Sequence, residues 1–261
     1  MKNICLLGST GYIGTNALKI IKDNPERYKV IALGGGRNID LLLNQINEFK
    51  PLFAVVINSH LADELKSKLN NGTNIEILYG TKGYSEIASL SDINIAIAAM
   101  TGSAGLLPTF SAIAAGKDVA LANKETLVIA GSLLIEESKK LGVNIFPVDS
   151  EHSAIQQSLQ GHSRADLKKI ILTGSGGPFK DSPIERLSTA TPKEALKHPK
   201  WKMGRKISID SATMMNKGME AIEAKWLFNV EMDQIEILLD PQSIIHSMVE
   251  YMDGSIIAQL A

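Results

Sequence analysis

Short aliphatic, β-rich runs recur along the first half of the chain, each followed by a longer stretch of mixed polarity. The runs fall at residues 4–7, 30–33, 53–57, 75–78, 93–98, 119–121 and 143–146. The intervening stretches carry helical period: Leu18, Ile20 and Ile21 line one face, and Leu133, Leu134 and Leu141 help line another. Strand–helix alternation at this spacing predicts an α/β fold, a parallel sheet with helices on both faces. Residues 143–148 read as a short buried strand that closes this domain, giving boundaries of 1–148 and 149–261.

Beyond residue 151 the pattern changes. Helix signals cover 154–159 and a strand 168–172. A polar connection at 181–204 carries Pro183, Pro192 and Pro199 around one helix-like piece at 192–196. A strand at 207–209 runs through a Ser/Thr-rich turn into a helix ending near Phe228. Strands follow at 235–239, 246–251 and 255–260, the last two flanking Asp253-Gly254 as a hairpin. The second domain is thus predicted to be α+β, with an antiparallel component.

Composition narrows the class. The chain has 261 residues and a net charge of −1, so nothing points to a nucleic-acid or anionic-membrane partner. No apolar run reaches transmembrane length, and the first strand-like run begins with no leader in front of it. Cys5 is the single cysteine, which excludes disulfide scaffolds, cysteine metal sites and paired redox thiols. A cytoplasmic setting is the expectation.

Candidate chemistry gathers at the ends of the apolar runs. Asp149 and Glu151 close the seventh run one residue apart. On an extended chain they would aim to one side, and their repulsion would be relieved by a divalent cation or a shared proton. The first run ends in Gly8-Ser9-Thr10-Gly11-Tyr12-Ile13-Gly14, a glycine turn between strand and helix. That is the setting of a phosphate cradle, although a glycine-rich turn without ligand has the same spelling. The second run ends in Gly34-Gly35-Gly36-Arg37-Asn38. An arginine there, with no acid for the ribose hydroxyls, points to NADP rather than NAD. Asn123, Lys124 and Glu125 follow the sixth run, on the cofactor side of such a sheet; Asn123 also reads as a helix cap. Thr173-Gly174-Ser175-Gly176-Gly177 suits an anion nest or a flexible turn. His198, Trp201 and Met203 sit at the tip of the 181–204 connection, which reads as a lid or as a packed excursion. Ser211, Asn216 and Lys217 cluster donors at a helix start, and Glu220 follows Asn216 by one turn. Spacing alone does not choose between Glu220 and Glu223 as a third ligand; Glu223 reads as solvated.

These stretches together resemble 1-deoxy-D-xylulose 5-phosphate reductoisomerases. The carrying motifs are GSTGYIG at 8–14, LANKE at 121–125, PVDSEH at 147–152, LTGSGGPF at 172–179, HPKWKMGRKIS at 198–208, DSATMMNKG at 210–218 and DPQSIIHS at 240–247. The resemblance implies NADPH on a Rossmann-type first domain and Mg²⁺ or Mn²⁺ on the second, catalytic domain, with Co²⁺ as a third candidate. It carries metal ligation to Asp149, Glu151 and Glu220. Catalytic roles carry to Lys124, Glu151 and His198. Substrate contacts carry to Lys124, Ser150, Glu151, Ser175, His198, Trp201, Met203, Ser211, Asn216, Lys217 and Glu220. Cofactor contacts carry to Thr10, Gly11, Tyr12, Ile13, Gly36, Arg37, Asn38, Asn123, Glu125 and Gly204. Tyr12 stands where the family usually has serine, and Thr101 lies in a turn that is usually apolar.

The activity so implied is rearrangement and NADPH reduction of the sugar phosphate 1-deoxy-D-xylulose 5-phosphate to 2-C-methyl-D-erythritol 4-phosphate, in isoprenoid precursor synthesis. The resemblance also implies a homodimer and a chain lacking the C-terminal part of the family. A fragment that binds NADPH without turnover is the alternative. A semialdehyde dehydrogenase-like enzyme is disfavoured, because its catalytic thiol has no counterpart beyond Cys5.

Overall fold

The computed structural model describes residues 1–70, 72, 74–198 and 204–260. The expected lid residues Trp201 and Met203 lie outside them. The chain divides into two compact units, Met1–Phe146 and Pro147–Ala261.

The first unit alternates strand and helix throughout. Its order is β1 (Lys2–Leu7), α1 (Tyr12–Asp23), β2 (Tyr28–Gly34), α2 (Ile39–Phe49), β3 (Phe53–Val56), α3 (Ser59–Lys68), β4 (Glu76–Tyr79) and α4 (Gly80–Ala88). It continues with β5 (Ile95–Ala98), α5 (Leu106–Ala114), β6 (Asp118–Leu121), α6 (Lys124–Leu141) and β7 (Ile145–Pro147). Among the described residues these strands form one seven-stranded sheet, ordered β4-β3-β2-β1-β5-β6-β7. Strand β1 pairs in parallel with both β2 and β5. The order reverses there, which in open parallel sheets marks the ligand crevice. Leu6, Leu33, Leu42, Ala54 and Leu65 are wholly buried where sheet meets helices. Each fully buried aliphatic side chain of this kind stabilises by about 1.5–3 kcal/mol.

Three expectations in this unit are corrected. Ile20, Leu133 and Leu141 are exposed, so the buried faces of α1 and α6 are carried by Leu18, Ile21, Leu127 and Leu134. The seventh run is not a buried strand. It forms the sheet's edge, with one neighbour, and Phe146 is 40% exposed.

In the second unit the elements are α7 (Ser150–Ser158), β8 (Leu167–Gly174), α8 (Pro192–Ala195), α9 (Arg205–Ala212), α10 (Met215–Phe228), β9 (Ile235–Leu239), β10 (Ile245–Tyr251) and β11 (Ile256–Leu260). The strands make a mixed sheet ordered β11-β10-β8-β9, with β8 and β9 parallel and the β10–β11 hairpin antiparallel. One face is covered by α7 and α10, which bury Ile155, Ile170, Leu172, Ala224, Phe228 and Val249.

Residues 207–209 are helical, not a strand. The Ile-Ser-Ile alternation is overridden by Lys206 and Asp210, which pair one turn apart at 2.7 Å. Ser208 also turns back to donate to the Gly204 carbonyl at 3.0 Å. No helix among the described residues is long and apolar enough to cross a membrane.

Candidate functional site

The acidic pair lies at the start of α7. Asp149 is its N-cap residue and Glu151 stands in its first turn, where the helix's positive end favours a carboxylate. The pair therefore converges through a helix start rather than along an extended strand, and α7 begins earlier than the helix signals suggested. Glu220 approaches from α10. One carboxylate oxygen from each of Asp149, Glu151 and Glu220 lies within 4.8 Å of the others.

Glu220 is buried and Glu151 half-buried. Three carboxylates so close demand positive charge, and Lys217 supplies some. Its Nζ donates to Glu151 Oε1 at 2.9 Å and to Glu220 Oε2. Burial alone would lower the ammonium's pKa, but the charges and hydrogen bonds of Glu220 and Glu151 outweigh it and hold the group above the ordinary lysine value. Asn216 Nδ2 donates to the other Glu220 oxygen, and Ser150 Oγ donates to Glu151 Oε2 at 2.7 Å. An all-oxygen donor set of this charge fits a hard divalent cation such as Mg²⁺ or Mn²⁺.

A cleft adjoins the acids. Glu151, Ser175, His198, Ser211, Asn216 and Lys217 all line it. Two backbone features shape it. Gly177 has φ +70°, and a Cβ there would meet the Ser211 carbonyl at 2.5 Å, so the loop after β8 closes onto the end of α9 only through glycine. Helix α10 opens at Met214 with no side chain capping it, and its first turn borders the cleft. Donors and a positive helix end facing one space suit an anion. His198 Nε2 lies 3.2 Å from Ser175 Oγ, and burial lowers its pKa. The ring nitrogen and the hydroxyl are within hydrogen-bond reach, each able to donate or accept according to the imidazole tautomer.

The glycine turn of the first unit is built as a tight strand-to-helix crossing. A Cβ on Gly14 would lie 2.2 Å from the Gly8 carbonyl, so close packing of α1 on the turn needs glycine. Gly11 is the N-cap of α1 with no side-chain cap, and Tyr12 and Ile13 are exposed beside it. Near Gly36 the space is open: a Cβ there would find Thr10 Oγ1 as its nearest neighbour, at 3.8 Å. Arg37 and Asn38 are exposed at the start of α2, where Asn38 accepts from the Leu41 amide at 3.1 Å. Asn123 is the buried N-cap of α6, and its amide donates to the carbonyls of Met100 and Gly102. It thereby props the turn after β5. Lys124 is buried in the first turn of α6, with Glu125 half-buried beside it. Gly204 is the exposed N-cap of α9 in the second unit. Open backbone at the ends of β1, β2, β5 and β6 fits a dinucleotide.

Four residues at the second site received no role from the sequence. His246 lines the cleft, with Nε2 3.8 Å from Glu151 Oε2. Asp240 gathers the amides of Gln242, Ile244 and Ile245 and so folds the loop that presents His246. The amide of Ile245, opposed by burial and assisted by the other amides, holds the Asp240 carboxyl below its usual range. The motif at 240–247 was the available signal. His152 and Glu223 are both fully buried behind the acids, which corrects the expectation of a solvated Glu223.

Comparison with known proteins follows the same division. A family profile for 1-deoxy-D-xylulose 5-phosphate reductoisomerase matches residues 4–131, and one for the C-terminal domain of that reductoisomerase matches 145–228. The 1-deoxy-D-xylulose 5-phosphate reductoisomerase of Geotalea daltonii is 54% identical over 260 residues, covering 100% of this chain and 67% of the relative. A crystal structure of DOX-P reductoisomerase in complex with NADPH, fosmidomycin and magnesium matches with TM-score 0.94 at 44% identity, over 100% of this chain and 66% of that one. The Zymomonas mobilis enzyme in complex with NADPH matches with TM-score 0.91 at 45% identity, over 99% and 66%. The chain thus spans about two-thirds of the length of the curated relatives it matches. With both profiles matched in order and half its residues identical to such relatives, the chain belongs to the 1-deoxy-D-xylulose 5-phosphate reductoisomerase family.

Proposed function

We propose that the chain carries the NADPH-binding domain and the metal- and phosphate-binding part of the catalytic domain of an enzyme converting 1-deoxy-D-xylulose 5-phosphate to 2-C-methyl-D-erythritol 4-phosphate. The observation that carries this reading is the meeting of Asp149, Glu151 and Glu220 beside a donor-lined cleft. When bound, the metal would supply Lewis acidity to a chelated hydroxyketone and NADPH the hydride.

The chain's own residues then have these parts. Ser175, Ser211, Asn216, Lys217 and His198 hold the substrate phosphate, a non-reacting handle whose binding positions the rest. His198 hydrogen-bonds Ser175 and a phosphate oxygen through its ring nitrogens. Ser150 and Glu151 face the substrate oxygens nearest the acids and Glu220 borders them; the family resemblance adds Lys124 as a substrate contact. Trp201 and Met203, outside the described residues, are substrate contacts by the family resemblance. The glycine turn at Thr10, Gly11, Tyr12 and Ile13 takes the cofactor pyrophosphate on the start of α1. Gly36, Arg37 and Asn38 take the 2′-phosphate, and Asn123, Glu125 and Gly204 complete the cofactor contacts.

Mn²⁺ is as suitable as Mg²⁺ to the oxygen set. The reading includes a homodimer: Leu238, Ile256 and Leu260 leave apolar side chains exposed on the second unit's sheet, which a second copy would cover. It also includes a cytoplasmic setting, in keeping with a lone buried cysteine. A second reading, cofactor binding without turnover, is favoured by the chain's spanning two-thirds of its relatives.

One assay separates the two. The chain is given the ketose phosphate, NADPH and Mn²⁺, and nicotinamide absorbance is followed with and without chelator. Oxidation that the chelator stops supports the reductoisomerase reading. Oxidation indifferent to chelator removes the metal from it, and NADPH binding without oxidation selects the second reading.

A further inference from the structure

Two buried side chains behind the acids have no part in the chemistry above. His152 meets α10 at three places. Its Nε2 lies 2.8 Å from the backbone carbonyl of Glu220. A carbonyl only accepts, so Nε2 carries a proton and donates. Its Nδ1 faces the Glu223 carboxylate at 3.4 Å, and its ring stacks on Phe228 at 6.2 Å between centroids. His152 directly follows Glu151, and its Nε2 acceptor is the peptide of Glu220. One imidazole therefore ties the backbone beside one acid to the backbone of another. Asp149 reaches the same group, with a carboxylate oxygen within 4.8 Å of ligand atoms of His152 and Glu223.

We infer that His152 and Glu223 are a positioning pair that sets the spacing of Asp149, Glu151 and Glu220 for a divalent cation. The inference rests on the metal reading of that site. Glu223 fixes the imidazole's turn about its ring, and the imidazole fixes the start of α7 against the second turn of α10. Groups that orient metal ligands in this way are worth about 10–100-fold in metal affinity. A merely structural role, docking α7 on α10, would be met equally by an apolar pair of similar volume.

Mn²⁺ binding to the chain, read from the electron paramagnetic resonance of free Mn²⁺, distinguishes these roles, with melting temperature recorded beside it. Wild type should bind, and Glu220→Gln should abolish binding. If wild type does not bind, or Glu220→Gln changes nothing, the metal reading fails and this inference with it. Given binding, the double variant His152→Phe/Glu223→Leu keeps the ring stack and replaces both facing polar side chains by apolar ones, which should retain folding. It should bind Mn²⁺ about 10–100-fold more weakly. Glu223→Gln keeps length and a hydrogen-bonding end and should bind nearly as wild type. Glu223→Asp withdraws the carboxylate by one methylene and should lose about tenfold. A folded double variant with wild-type affinity overturns the inference. If the double variant does not fold, equal affinities of Glu223→Asp and Glu223→Gln overturn it.

Discussion

Lys217→Met should weaken the fold and tighten metal binding at the same time. The Lys217 ammonium lies 2.9 Å from Glu151 Oε1 and also bonds Glu220 Oε2. The three side chains are 6%, 17% and 1% exposed, so solvent screens them little. At an effective dielectric of about 20, one pair at this distance attracts by roughly 6 kcal/mol. Desolvation consumes much of that, and removing one partner of a buried pair costs about 3–5 kcal/mol net. Methionine fills most of the volume and leaves Asp149, Glu151 and Glu220 facing one another without the ammonium. The metal-free variant should melt on the order of 10 °C lower. The same ammonium competes with a divalent cation for two of its three ligands. Its loss should therefore raise Mn²⁺ affinity measured without substrate, and Mn²⁺ should lift the variant's melting temperature by more than it lifts wild type's. Thermal melts with and without Mn²⁺, and a paramagnetic titration, read both quantities. Mn²⁺ affinity falling together with stability would refute the competition. An unchanged melting temperature would refute the buried pairing. Turnover is not the readout, because Lys217 also stands in the phosphate cleft.

Glu151→Gln should abolish turnover while NADPH affinity, followed by fluorescence titration, stays near wild type; a large loss of cofactor binding would contradict the division of labour between the units. Arg37→Asp should erode the preference for NADPH over NADH, and an unchanged ratio of dissociation constants would assign the 2′-phosphate to another residue. Burial lowers the His198 pKa, so its contribution to stability is present above the unfolded value of about 6.5 and is lost as pH falls through the lower folded value. Nuclear magnetic resonance of the histidine ring should show that depressed midpoint, and inorganic phosphate should raise it. A midpoint indifferent to phosphate would take His198 out of the anion site.

Most of the first unit could be read along the chain because its strands are buried from both sides. Parallel strands covered by helices must be continuous apolar runs, and all seven runs became strands of one sheet. What the runs did not carry is the position of each strand in the sheet. The seventh has the same apolar character as the others, yet it lies at the edge with Phe146 exposed. Helical faces were less legible for a related reason. A period of 3.6 marks a face but not its width, so it groups Ile20 and Leu133 with Leu18 and Leu134, and only the latter two are covered. At 207–209 alternation suggested a strand, while the pair Lys206 and Asp210, one turn apart, held the better signal for the helix.

At the acidic site, legibility follows whether the partners share an element. Asn216 and Glu220 are one turn apart on α10, and their hydrogen bond is the one that spacing predicts. Lys217 and Glu220 pair across three residues for the same reason. Glu223 continues the same helix by another three residues and is as buried as Glu220. Glu223 lies seven residues after Asn216 and six after Lys217, nearly two turns, so these donors bond Glu220 and not Glu223. Helix α7 adds a second difference. Its Glu151 meets the Lys217 ammonium that Glu220 also holds, and its His152 meets Glu223. Neighbouring positions on α7 face opposite parts of the cluster because a helix turns about 100° per residue. Read as an extended chain, 149–152 would have sent Ser150 and His152 together to the side away from the acids. Read as a helix start, it sends Glu151 toward the cleft and His152 into the core, where its Nδ1 faces Glu223. The role of each glutamate on α10 thus depends on the backbone conformation of four residues elsewhere.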